Sequence, residues 1–193
     1  MFRSLFALVL ASSLAAVPLS FLKQLHADEP SIDAGTPTPT VVRLNEDIEG
    51  KLEGVLGQLA LAKDDVTLVI TSEGGSVAAG MEFILAVEDL RAKNHLKVHC
   101  IADMYALSMA AAILESGACD DRAMTDRTLI LFHGVQAPPS PLVQALNHSM
   151  GIWISRRMGM TLEAYQANLA KGDWILSAPA ALEAHAIDRI ITP

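Results

Sequence analysis

The chain has 193 residues, enough for one domain with a proper hydrophobic core. Hydrophobic residues make up 51% and charged residues 19%, which excludes a disordered or fibrous chain over most of its length. The net charge is -8 and Lys and Arg do not cluster, so the composition argues against nucleic-acid binding.

The N-terminus differs from the rest. Arg3 precedes an uncharged run from Ser4 to Leu22, closed by Lys23, and Ala27 offers a small residue before Asp28. Residues 1–27 therefore read as a secretory signal peptide cleaved after Ala27. The alternative is an uncleaved membrane anchor, since the 19 uncharged residues from 4 to 22 just span a bilayer. Pro18 and the serine pair weaken that alternative. Either way the expected location is exported or membrane-anchored rather than cytosolic. Residues 28–39 are polar, hold three prolines and read as a linker, which places the start of the folded domain, residues 40–193, at Thr40.

From there strands and helices alternate. Thr40–Leu44 is a short β-branched run, and Ile48–Leu61 carries apolar residues at helical spacing. Val66–Thr71 is a near-continuous apolar strand, followed by a helix over Ser76–Lys93 and a strand over Leu96–Ala102. An alanine-rich helix starts at Ser108, and a strand covers Leu129–Phe132. Helices follow over Leu142–Met158, Leu162–Leu169 and Ala178–Ala184, with a last strand over Ala186–Ile191. Apolar strands separated by helices predict an α/β fold with a parallel sheet built of βαβ units and covered on both faces. Ligand sites in such sheets lie at the carboxyl ends of strands. Gly75, Ser108 and His133 all follow strands and so share one rim.

Each of these residues has an ordinary explanation. Gly74-Gly75 suits any strand-to-helix turn, Ser108 any helix cap, His133 any strand end, and Asp173 any solvated loop. Their order suggests more. A paired glycine brings backbone N–H groups close to a ligand. A serine at a helix start sits beside free N–H groups. A histidine 25 residues later (133 − 108) returns to the same rim after one helix and one strand, and imidazole is the usual base for a serine. Asp173 is then available to orient His133, with Asp188 as the runner-up.

In this register the chain resembles the proteolytic subunit family of the Clp protease (ClpP), a branch of the crotonase-like fold, over roughly residues 40 to 193. The matches are Gly74-Gly75, Ser108-Met109, His133 after its apolar strand, and Asp173 before Leu176-Ser177-Ala178. The resemblance implies a serine endopeptidase with Ser108, His133 and Asp173 as its triad. The N–H groups of Gly75 and Met109 would form its oxyanion hole. It implies peptide or unfolded-protein substrates, no metal or other cofactor, and a homo-oligomer, with a ring as the family form. Relatives with a Ser/Lys dyad are a poorer match, because none of Lys51, Lys63, Lys93, Lys97 and Lys171 takes the place of His133.

The chain also departs from the pattern. Glu73 stands where the family has proline, and Ala110 where it has glycine. These departures leave a catalytically impaired binding or scaffold protein of the cell envelope as the alternative. The segment from His133 to Asp173 is short and begins Ala137-Pro-Pro-Ser-Pro141, which speaks against stacking two rings. Cys100 and Cys119 are expected to stay unpaired. With a strand ending at Ala102 they fall at opposite ends of neighbouring strands, roughly 17–20 Å apart, beyond the reach of a disulfide.

Overall fold

A computed structural model describes residues 40–192. The expected leader and linker, residues 1–39, lie outside the described residues. Among the described residues no helix is long and apolar enough to cross a membrane.

Seven strands and six helices alternate along the domain. In chain order they are β1 (Thr40–Leu44), α1 (Glu53–Leu61), β2 (Val66–Ser72), α2 (Val77–Asn94), β3 (Val98–Leu107) and α3 (Met109–Leu114). Next come β4 (Asp121–Thr125), β5 (Leu129–Phe132), α4 (Pro141–Arg157), α5 (Leu162–Leu169), β6 (Trp174–Ser177), α6 (Ala178–Glu183) and β7 (Arg189–Ile191). The main path of the sheet runs β1-β2-β3-β4-β7 and is parallel throughout. The domain is α/β, with a parallel sheet and surrounding helices.

β3 is the spine. Its first half pairs with β2 and β4, and its second half, Tyr105–Leu107, pairs with β5. The change of partner is made at a kink. The register against β2 advances from Ile70↔Ala102 to Ser72↔Ala106, and Met104 there takes φ 62°. Two extra residues on one strand are what a bulge supplies, and bulges bend strands near functional sites. β3 alternates buried and half-buried residues, so its second face is less fully covered than its first.

Four expectations are corrected in detail. β3 continues five residues past Ala102, because Tyr105–Leu107 finds a second partner in β5. β4 (Asp121–Thr125) is a strand that the sequence pattern did not mark, and it precedes the expected strand over Leu129–Phe132, which is β5. β6 is a strand where a loop was expected, and it pairs with β5 antiparallel, so the sheet is not purely parallel. The first helix starts at Glu53, and Ile48 instead forms an isolated parallel bridge with Gly75.

The core gathers the buried faces of β1, β2 and β3 with Val55, Leu59, Phe83, Ile84 and Val87 of the first two helices. All six residues of α3 are buried, which is why that helix is so rich in alanine. On β5 and β6, Ile130 and Leu176 face inward, while Leu129 and Ile175 are 47% and 55% exposed. That leaves an apolar face with no covering helix.

The cysteine expectation is overturned. Cys100 and Cys119 form a disulfide, with Cα atoms 5.5 Å apart. The error lay in the strand end. Cys100 is the third residue of a ten-residue strand, so it sits at the foot of β3. Cys119 lies two residues before β4, at the foot of the neighbouring strand, where Cys100 is in register with Arg122. The strand–helix–strand order around Ser108 is intact.

Candidate active site

Because β2, β3 and β5 are parallel, the residues after them emerge at one rim. Gly74-Gly75, Ser108 and His133 all lie there and line one cavity of about 660 Å³.

The glycine turn is built by its neighbours. Ser72 is buried, donates its hydroxyl proton to the Glu46 carbonyl at 2.7 Å, and accepts from the Gly74 N–H at 3.1 Å. Gly74 has φ 95°, and a Cβ there would come within 2.5 Å of the Leu107 carbonyl and 2.9 Å of the Met109 nitrogen. Only glycine lets the turn lie against the Ser108 backbone. Gly75 bridges Ile48 through its neighbours: the Ile48 N–H donates to the Gly74 carbonyl at 2.7 Å and the Ser76 N–H to the Ile48 carbonyl at 2.6 Å. That parallel pattern leaves the Gly75 N–H turned away from Ile48.

Ser108 occupies a sharp strand-to-helix turn at φ 55° and ψ −119°. A left-handed φ on a non-glycine residue costs on the order of 1–3 kcal/mol and recurs at active sites. The turn is held by the Ser108 N–H, which donates to the Leu131 carbonyl at 2.8 Å. The ordinary explanation for a serine here was a helix cap, yet its hydroxyl makes no capping hydrogen bond. Met109 follows with its side chain packed against Gly80 of α2, where a Cβ would come within 2.4 Å of Met109 Cγ. Its N–H lies in the first turn of α3, which has no intrahelical partner for it. Ala110 is fully buried and fits without disturbing α3.

His133 is half-buried. Its Nδ1 contacts the Gly134 carbonyl at 2.6 Å, and since a carbonyl only accepts, Nδ1 carries the proton. The neutral ring is then left with its lone pair on Nε2. The segment beyond is tied down by Asn147 of α4, whose Oδ1 accepts from the Val135 N–H at 2.7 Å.

Asp173 reaches the rim through β6. The β5–β6 ladder ends at Phe132↔Trp174, so His133 and Asp173 come next in register. Asp173 is exposed, does not line the cavity, and shares no hydrogen bond with His133 among the described residues. The structure brings Ser108, His133, Gly75 and Met109 to one cavity and leaves Asp173 beside it.

The runner-up, Asp188, is engaged at the other end of the sheet. It precedes β7, and its carboxylate accepts from the Arg122 backbone N–H at 2.7 Å and from Arg122 Nη2 at 2.8 Å. Burial works against its charge, but the Arg122 hydrogen bonds outweigh burial and hold the carboxyl below its ordinary range. Arg122 also donates to the buried Glu115. Burial dominates there and pushes Glu115 up to about 8.

Sequence reasoning missed three contributors. Asn147 and Gly80 carry no local motif, since each matters through a partner elsewhere in the chain, the Val135 N–H for Asn147 and Met109 for Gly80. Ser72 was visible as part of the turn, but its double hydrogen bond depends on Glu46, 26 residues away.

The Clp protease family model matches residues 41–193. The chain belongs to the Clp protease family. The family is one of peptidases. The fold of this chain resembles that of a mutant ClpP1 from Listeria monocytogenes, with a TM-score of 0.66 at 20% sequence identity. The match covers 79% of this chain and 91% of that one. In this family member the turn at Gly74-Gly75 and the turn at Ser108 touch each other, and His133 closes the cavity from β5.

Proposed function

We propose that the chain is a serine endopeptidase acting on peptides or unfolded segments. Ser108 is the nucleophile, and His133 Nε2 is the base that takes its proton. The N–H groups of Gly75 and Met109 receive the oxyanion, and Asp173 orients the imidazole. Attack by Ser108 Oγ on the scissile carbonyl forms the tetrahedral intermediate. His133 then returns the proton to the leaving amine, giving an acyl-enzyme that water hydrolyses. The observation that carries this reading is an uncapped serine at a positive-φ turn, sharing a cavity with a histidine whose Nδ1 is taken up by the Gly134 carbonyl. Labelling by a serine-reactive fluorophosphonate probe tests it. Labelling lost in Ser108→Ala is the expected result, and labelling that persists there would sink the assignment.

A second reading keeps one observation in its favour. Asp173 does not hold His133 here; the Gly134 carbonyl does. A catalytically impaired binding protein of the cell envelope would tolerate that arrangement. Catalytic hydrogen bonds are often long in unliganded sites and tighten with substrate, which favours the peptidase.

Export fits the same reading. A buried disulfide suits an oxidising compartment, as a signal peptide or anchor at residues 1–27 requires. The uncovered face bearing Leu129 and Ile175 suits self-association. Among the described residues no strand lies between Phe132 and Pro141, so a single ring fits better than a stacked pair. Light scattering of the chain from Thr40 onward tests this, and a mass equal to two stacked rings would overturn it.

A further inference from the structure

We infer that the Ser108 cavity selects cationic peptide segments around an apolar anchor residue, an inference that rests on the peptidase reading of the same site. The inner wall of the cavity is apolar, formed by Phe132, Met150, Ile154 and Tyr165. Behind Gly151 the space is closed by Leu162 and Tyr165, whose atoms a Cβ on Gly151 would meet at 2.8 and 3.6 Å. An apolar side chain set against this inner wall gains by leaving water. The mouth is different in kind. Asp47, Glu49 and Glu73 line it, and all three are exposed.

These carboxylates are placed by the site itself. Asp47 and Glu49 flank Ile48, whose backbone bridges Gly75, and Glu73 precedes the glycine pair. None of the three takes part in an ion pair or side-chain hydrogen bond among the described residues. The lining contains no Lys or Arg to balance them. Among the described residues no three His, Cys, Asp or Glu side chains converge as a metal site requires, so the rim carboxylates act as separate charges. Like-signed charges at the mouth of a cleft concentrate the field outward and favour a ligand of opposite sign. A segment with Lys or Arg beside its anchor residue matches this rim, and one with Glu or Asp is opposed by it.

The test separates charge selection from catalysis. Three fluorescent peptides share one apolar centre and differ in flanks of Lys, Gln or Glu. Their binding to the non-turning Ser108→Ala chain is read by anisotropy, with His133→Ala as a second non-turning chain. At low salt the Lys peptide should bind about tenfold more tightly than the Glu peptide, with Gln between, as a few exposed charge contacts supply. The ratio should shrink towards one in about 0.5 M salt. The combined variant Asp47→Asn, Glu49→Gln, Glu73→Gln should bring the three peptides level while leaving the Gln peptide's affinity unchanged. Equal or undetectable binding of the Lys and Glu peptides overturns the inference, as does a preference that survives the combined variant. A Lys preference in a protein that takes up no fluorophosphonate would instead support charge selection and sink the peptidase reading.

Discussion

The two ends of the sheet are built on opposite principles. At the foot, β3 and β4 are joined by the Cys100–Cys119 disulfide, and Arg122 is clamped between Glu115 and Asp188. These groups are mostly buried, and they bind one another. At the rim, Gly74, Gly75 and Ser108 all take positive φ, the serine hydroxyl caps nothing, and three carboxylates face solvent unpaired. Strained and unsatisfied groups persist only where the surroundings over-determine them. The foot, together with the contact between the two rim turns, supplies that over-determination. Reactivity and stability are assigned to opposite ends of one sheet, with β3 running from the foot to the rim.

Breaking the rim should remove activity and spare the fold. Ser108→Ala or His133→Ala is expected to lower peptide hydrolysis by about 10³-fold or more, since such groups act as a unit. Thermal melting should change little by comparison. Asp173→Ala should cost less than either but still about 10²-fold or more, because Asp173 orients the imidazole once substrate binds. A negligible loss would show that the Gly134 carbonyl alone holds the His133 ring.

Breaking the foot should do the reverse. Arg122→Met leaves the buried Glu115 and the Asp188 carboxylate without their partner, and should cost about 3 kcal/mol in urea unfolding. Reducing the disulfide, or replacing both cysteines by alanine, should cost about 2–4 kcal/mol for a loop of this length. Activity at 25 °C should survive both changes in the fraction that stays folded. A loss of activity in fully folded, reduced protein would mean that the two ends are coupled more tightly than described.

Glu115 gives a sharper probe of the foot. Its folded-state pKa lies near 8 against 4.5 for the free group, so the folded chain keeps a proton that the unfolded chain releases. Stability from this group is fully present below pH 4.5 and is lost as the pH rises towards 8. Glu115→Gln should flatten the fall in stability over that window. Asp188 has the opposite sign: its stabilisation is present above its unfolded value and lost as the pH falls below it. Melting curves from pH 3 to pH 8 in the parent chain and in Glu115→Gln separate the two contributions.

The smallest expected effect is at Glu73. Its exposed carboxylate lies at the cavity mouth, where it opposes a developing oxyanion only weakly through water. Glu73→Gln should raise acylation of a neutral substrate by no more than about threefold. No change at all would place the side chain fully in solvent.

Most of this fold was legible in the sequence, because apolar periodicity and breaker residues mark elements that are locally determined. β5 and α5 fell where their patterns put them. What was not legible depended on partners distant in sequence. β3 runs on to Leu107 because β5 pairs with Tyr105–Leu107, and that extension moved Cys100 from the end of a strand to its foot. Trp174–Ser177 becomes strand because β5 offers an open edge. In the site, Ser108, His133 and the glycine pair were readable from order and position. The tautomer of His133 was not, since it is set by a carbonyl one residue away in a conformation that no motif encodes.

β6 also fixes what becomes of an incomplete chain. Among the described residues the outer edge of β5 is covered only by a strand that arrives 48 residues after Leu129 in the ladder (177 − 129). A fragment cut between α4 and β6 would keep Ser108, His133 and the disulfide. It would also present an unpaired strand edge beside the exposed Leu129. Such edges template pairing with other chains. Proteolytic nicking in that interval would therefore yield self-associating debris rather than a weakened enzyme.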